Sequence, residues 1–222
     1  MILENKEKQN LFEFVHSKEL NHFYYAIFDL DQTLYDYEEC NKHGITSIVS
    51  AVNKKFGIDK EIILDTYLKS RETINTNLKN TSSMHSRFLY LKKMSEILSI
   101  KNPINNTIEF YNLYWEKFFE KMELFDWVES VFKKLKDQNI KIIIATDFNA
   151  RIQFLKIRRL EIENYVHKII TSQEIGEEKP GTKFAETLLN SIKSDYNTLF
   201  YVGDNPKKDN FLSKYGVKTF II

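Results

Sequence analysis

Tyr24-Tyr-Ala-Ile-Phe-Asp29-Leu-Asp31-Gln-Thr33 is the stretch that decides the fold. Its first five residues form a short β-prone run that stops abruptly at a carboxylate. The pattern returns twice downstream. Lys141-Ile-Ile-Ile-Ala145 runs into Thr146-Asp147, and Thr198-Leu-Phe-Tyr-Val202 runs into Gly203-Asp204. Shorter runs lie at His167–Thr171 and Val217–Ile222. Continuous apolar runs suit strands covered on both faces, as in parallel sheets.

Helical patterns separate these runs. Trp127, Val128, Val131, Phe132 and Leu135 share one helical face, with Asp126 as the expected N-cap and Asn139 just past the end. Phe184, Leu188 and Ile192 mark another, and Asn205-Pro206 reads as a cap followed by proline at the first helical position. From residue 126 onward helices and strands alternate. The expected fold class is therefore α/β, a Rossmann-like parallel sheet with right-handed crossovers.

Residues 37–122 break that rhythm with four helical stretches in series. Ile45, Ile48, Val49, Val52 and Phe56 form the first, stopped by Gly57. Ile63, Tyr67, Ile74 and Leu78 suggest the second, and Met84, Phe88, Leu91 and Leu98 the third. In the fourth, Ile104, Ile108, Tyr111, Trp115, Phe118 and Met122 step by helical spacing. The expectation is an α/β core of residues 1–36 and 123–222, with residues 37–122 inserted as an all-α domain.

Composition narrows the function. The 222 residues carry 32 Lys+Arg against 31 Asp+Glu, a formal net charge of +1, which removes the electrostatic case for a nucleic-acid or membrane-surface binder. Apolar content of 42% and aromatic content of 14% support a real core. A single cysteine, Cys40, can form neither an intrachain disulfide nor a multi-cysteine metal site. Apolar runs are far shorter than the roughly 20 residues a bilayer demands. Glu4, Lys6, Glu7 and Lys8 stand where a signal peptide would be apolar. A cytoplasmic globular protein is expected.

In open α/β sheets, ligands bind beyond the carboxyl ends of the strands. Asp29, Asp31, Thr33, Thr146 and Asp204 should therefore converge, although each alone could be a turn former or a helix cap. Asp29-Leu-Asp31-Gln-Thr33, Thr146, Glu178-Lys179-Pro180 and Gly203-Asp204-Asn-Pro-Lys-Lys-Asp209 resemble the four ordered motifs of the haloacid dehalogenase-like (HAD) hydrolase superfamily. The helical insertion after the first motif resembles the C1 cap of its subfamily I.

The resemblance implies phosphoryl transfer to a carboxylate. Such an attack needs the negative charges compensated, by a divalent cation and a lysine. Asp29 would be the nucleophile. Asp31 would protonate the leaving oxygen and then activate water. Thr33 would help fix the phosphate-binding loop, Thr146 would donate to the phosphoryl group, and Lys179 would hold the phosphate and neutralise the nucleophile. Asp29, Asp204 and the main-chain carbonyl of Asp31 would bind Mg²⁺. Asp209 would orient Lys179 or a metal-bound water. Asp147, standing where Asn is frequent, would add negative charge beside the phosphate. Gln32 stands where Gly or Asn is commoner, and Gly181-Thr182 replaces the more usual Asp-Pro.

Other residues have bland readings beside functional ones. His43, His85 and Arg87 could read the substrate or simply pack, and Arg151 could face the phosphate or solvent. The aromatic stripe at 111–119 suits a helical core, while Lys133-Lys134 and Lys207-Lys208 suit solvated faces. Residues 1–22 could form an amphipathic helix through Leu11, Phe12, Phe14 and Val15.

The leading expectation is a Mg²⁺-dependent phosphatase acting on a small phosphorylated metabolite, a sugar phosphate or nucleoside monophosphate. A phosphomutase shares these residues but needs a proton-shuttling base in the cap. A dehalogenase lacks the second aspartate supplied here by Asp31. A non-catalytic binding module would be free to lose the Asp29, Asp31, Lys179 and Asp204 set.

Overall fold

The computed structural model describes residues 6–192 and 194–222. It divides into two compact units, one formed by the described residues up to Asp36 together with Glu123–Ile222, the other by Tyr37–Met122.

The first unit is a five-stranded parallel sheet: β1 (Tyr25–Phe28), β2 (Lys141–Thr146), β3 (Val166–Thr171), β4 (Leu199–Gly203) and β5 (Lys218–Ile221), in spatial order β3-β2-β1-β4-β5. The central strand β1 pairs with β2 and β4, so Phe28 stands opposite both Ile144 and Val202. Ile27, Ile143, Ala145, Leu199 and Tyr201 are buried on one face with Phe184, Leu188 and Leu189. Phe28, Ile144, Phe200 and Val202, which alternate with these along the strands, are buried as well, and this covering of both faces is what the unbroken apolar runs encode.

In chain order the helices are α1 (Lys6–His16), α2 (Tyr37–Phe56), α3 (Lys60–Asn77), α4 (Arg87–Ile97), α5 (Pro103–Glu120), α6 (Asp126–Asp137), α7 (Ala150–Arg159), α8 (Ser172–Ile175), α9 (Thr182–Ile192) and α10 (Pro206–Asp209). In α1, Leu11, Phe14 and Val15 are buried, and the Phe14 ring meets those of Phe23, Phe200 and Phe220. Residues 1–5 of the expected N-terminal helix lie outside the described residues. Helix α6 buries the expected face, but Phe125 occupies its N-cap and Asp126 opens the helix, where a carboxylate suits the positive dipole end. No helix among the described residues is long and apolar enough to cross a membrane.

The second unit is the bundle α2–α5. Gly57, at φ +69°, ends α2. Helices α2 and α5 approach closely at Gly44, where a Cβ would lie 2.8 Å from the Tyr114 ring. The buried face of α5 keeps Trp115 and Phe118 of the expected stripe, with buried Met122 just past the helix end, and departs from it toward the N-terminus. Phe110, Tyr114, Trp115 and Phe118 are buried, whereas Ile104 is 76% exposed and Ile108 46%. Two apolar stripes run along this helix, and the aromatic one, with more area to bury, faces inward.

Candidate active site

Register brings the strand ends together. The amide of Asp29 donates to the Val202 carbonyl at 2.9 Å, which sets the residue after β1 beside the end of β4. Thr146 closes β2 on the other side, and Asp204 follows β4 immediately.

Asp29 sits in a buried charge cluster. The Lys179 ammonium lies 2.8 Å from Asp29 Oδ1 and 2.7 Å from Asp209 Oδ1. It also donates to the Tyr201 hydroxyl at 3.0 Å, and that hydroxyl donates to Asp209 Oδ1 at 2.6 Å. The amide of Asn205 donates to Asp209 Oδ2 at 3.0 Å. Burial, with the Asp209 and Asp31 charges adding, pushes the Asp29 carboxyl up, and Lys179 draws it only part of the way back. Burial alone would lower Lys179, but Asp29, Tyr201 and Asp209 hold it well above lysine's ordinary range. Asp209 is itself held low: Lys179 and the three hydrogen bonds overcome its burial. Gly203 makes room for this carboxylate, since a Cβ there would stand 2.4 Å from Asp209 Cγ.

Asp31 points into a different set of partners. Lys156 donates to both of its oxygens, at 2.6 and 2.8 Å. Gln153 Nε2 donates to Oδ2 at 3.2 Å, and the Tyr35 hydroxyl donates to Oδ1. Burial would raise this carboxyl, yet the Lys156 charge and these hydrogen bonds keep it below its ordinary value. The two aspartates, two residues apart, are thus held by two different lysines.

Thr33 is buried and donates to Asp204 Oδ1 at 3.3 Å, bracing that carboxylate. Thr146 Oγ1 accepts from Gln153 Nε2 at 2.7 Å. Asp147 accepts from the Lys179 amide at 3.0 Å and from the Lys208 ammonium at 2.8 Å, so the charge it adds is compensated locally. Phe148, next in the loop, is buried at φ +90°, a conformation costly for a bulky residue. Gln32 also has positive φ, +64°, which explains why Gly or Asn would be at ease there.

Lys156, Gln153, Tyr35, Tyr201 and Lys208 were not singled out from the sequence as site residues. The usable signals were spacings: Tyr35 four residues after Asp31, and Gln153 and Lys156 three apart on the helix that follows Thr146.

Oxygen donors of Asp29, Asp204 and Asp209 lie within 4.8 Å of one another. Asp209 is committed to Lys179, Tyr201 and Asn205, so Asp29 and Asp204 are the carboxylates of this group that could hold a metal ion. Asp204 is also raised, first by burial and then by Asp209. A crowded set of hard oxygen donors with depressed acidity fits a divalent cation such as Mg²⁺.

Residues 26–222 match the family model of the haloacid dehalogenase-like hydrolases. The chain belongs to that family. This hydrolase is 29% identical over 185 residues, 83% of its length and 77% of the relative's, to a ribulose-1,5-bisphosphate 5-phosphatase of Halopiger xanaduensis. It is 23% identical over 190 residues, 83% of its length and 76% of the relative's, to a glyceraldehyde 3-phosphate phosphatase of Methanopyrus kandleri. Its fold is similar to that of a 2-haloacid dehalogenase from Pseudomonas syringae pv. Tomato DC3000, with TM-score 0.69, 17% identity, and coverage of 89% and 85% of the two chains.

Within the helical unit of the hydrolase, Arg87 is buried against three rings, 5.7 Å from the Tyr37 centroid and 5.8 Å from those of Tyr90 and Tyr114. It donates to the hydroxyls of Tyr37 and Tyr114 and to the His85 carbonyl. His43 lies 3.8 Å from Glu120. Arg151 is exposed. These contacts give Arg87 a packing role in the bundle.

Proposed function

We propose that this hydrolase is a phosphatase that removes phosphate from a small phosphorylated metabolite, a sugar phosphate or nucleoside monophosphate, through an aspartyl-phosphate on Asp29. The observation that carries the reading is the separate housing of Asp29 and Asp31. A nucleophile and an acid/base need different surroundings, and here one faces Lys179 and Asp209 while the other faces Lys156, Gln153 and Tyr35. The curated relatives bearing phosphatase names point the same way.

In the first step an Asp29 oxygen attacks phosphorus, the bond to the leaving oxygen breaks, and that oxygen takes a proton from Asp31. Thr146 and Lys179 donate to the phosphoryl oxygens as charge develops. In the second step water attacks the phosphoryl-aspartate and gives its proton to Asp31, which restores Asp29 and releases inorganic phosphate. Lys156 favours the ionised form of Asp31, so its pull assists this second step and works against the first. Asp29, Asp204 and the Asp31 carbonyl would hold Mg²⁺, which would supply charge compensation at the phosphoryl group.

The test is phosphate release from a panel of sugar phosphates and nucleoside monophosphates, with chloride release from 2-haloacids measured in parallel. Turnover of phosphate esters supports the reading. Halide release with inert phosphate esters would overturn it.

A further inference from the structure

Lysine 156 is an expensive residue to bury. Its side chain is 1% exposed, inside a helix face shared with buried Ile152 and Ile157. Burying an ammonium costs several kcal/mol even when it is paired, and apolar replacements of buried ion pairs are often neutral or stabilising. If this face of α7 had only to pack, Leu or Met would serve better. What the lysine adds is two short contacts to Asp31, at 2.6 and 2.8 Å, from a ring-lined pocket 5.9 Å from the Tyr35 centroid and 5.7 Å from that of Phe148.

Gln153 stands one turn earlier on the same face and is fully buried. Its Nε2 reaches three acceptors: Thr146 Oγ1 at 2.7 Å, the Asp147 carbonyl at 2.8 Å and Asp31 Oδ2 at 3.2 Å. Its Oε1 has no hydrogen-bond partner among the described residues. The opposite amide orientation would turn that oxygen toward a carboxylate and a carbonyl, so the orphan atom is the cost of presenting the NH₂ group to all three. Thr146 Oγ1 accepts from Gln153, while its own proton goes to the Asp147 carbonyl at a long 3.3 Å, a weak bond that an incoming phosphoryl oxygen can displace. A single amide thus joins the end of β2 to the carboxylate that follows β1.

We propose that Gln153 and Lys156 are positioning residues that act through Asp31 and Thr146. One rigid helix face sets the acid/base carboxylate and the phosphoryl-binding hydroxyl in register. The proposal rests on the reading of Asp31 as the acid/base of a phosphatase. Neither residue need touch the substrate, so their loss should fall on kcat and leave KM nearly unchanged.

The experiment is a double-mutant cycle on p-nitrophenyl phosphate hydrolysis, comparing wild type, Lys156→Met, Asp31→Asn and the double variant, with Gln153→Leu alongside. Lys156→Met should lose on the order of 10–100-fold in kcat, the range typical of outer-shell partners. In the Asp31→Asn background the same change should cost no more than about twofold, because the group it positions is gone. Gln153→Leu should slow both backgrounds, since it also serves Thr146. If Lys156→Met does not fold, Lys156→Gln, which retains a donor toward Asp31, runs the same cycle. A wild-type rate for the Lys156 variant, or an equal loss in both backgrounds, overturns the positioning role. An Asp31→Asn variant as fast as wild type strikes the acid/base reading itself, a different and recognisable failure.

Discussion

Replacing Asp209 by Asn tests the charge cluster at its most buried point. Asp209 is 0% exposed and accepts three hydrogen bonds, from Lys179, Tyr201 and Asn205. An asparagine can keep its oxygen toward Lys179 and Tyr201 only by turning its NH₂ group against the Asn205 amide, leaving a buried donor unsatisfied. The reverse orientation puts that NH₂ group against the Lys179 ammonium. An unsatisfied buried group costs about 1–3 kcal/mol, and removing one partner of a buried ion pair about 3–5 kcal/mol in all. Because Asp29 still pairs with Lys179 at 2.8 Å, the loss should sit toward the lower end of that range. For a chain of this size, about 3 kcal/mol lowers Tm by roughly 6–12 °C, measurable by calorimetry. Phosphate release should fall as well, since Lys179 loses one of the two carboxylates that fix its ammonium. A melting temperature within a degree or two of wild type, with full activity, would refute the argument that Asp209 anchors Lys179.

Three further outcomes follow from the same geometry. Gly203→Ala drives a Cβ to 2.4 Å from Asp209 Cγ and should cost about 1–3 kcal/mol as overpacking, with slowed turnover; an unchanged melting curve would contradict the close approach. Asp29 has a raised folded-state pKa, so its stabilising contribution is fully present below its ordinary value of 3.8 and is lost as pH rises through the raised value. Mg²⁺ needs the ionised carboxylates, so it should raise Tm more at about pH 8 than at about pH 6, and Asp204→Asn should abolish the difference. Equal shifts at both pH values would count against the Asp29–Asp204 site. In the helical unit, Arg87→Met should lower its melting temperature, read from Trp115 fluorescence in a Trp127→Phe background; no change would remove Arg87 from its packing role.

The strands and their terminal carboxylates were legible because parallel strands write themselves as unbroken apolar runs and the chemistry needs acids where those runs stop. The partners of those acids were harder to see. Lys156 stands in the last turn of α7 with Arg158 and Arg159, where basic residues already have an explanation in the helix dipole. Only the packing of α7 distinguishes the buried lysine from its basic neighbours. Lys207-Lys208 read as a solvated pair for the same reason, yet Lys208 reaches Asp147. The charge that Asp147 brings was visible, but its compensation lies 61 positions away in the chain and depends on tertiary structure. Of the α5 stripe, Trp115, Phe118 and Met122 were placed rightly and Ile104 and Ile108 were not, because spacing cannot rank two apolar stripes whereas the area each can bury does.

In the proposed reaction Asp29 carries the phosphoryl group. The most direct measurement is intact-protein mass spectrometry of acid-quenched Asp31→Asn enzyme after mixing with a turned-over substrate, followed by peptide mapping. A phosphoryl adduct should appear on the peptide containing Asp29, accumulating because its hydrolysis is slowed, and be absent from Asp29→Asn. An adduct elsewhere, or phosphate release by Asp29→Asn at the wild-type rate, would contradict it.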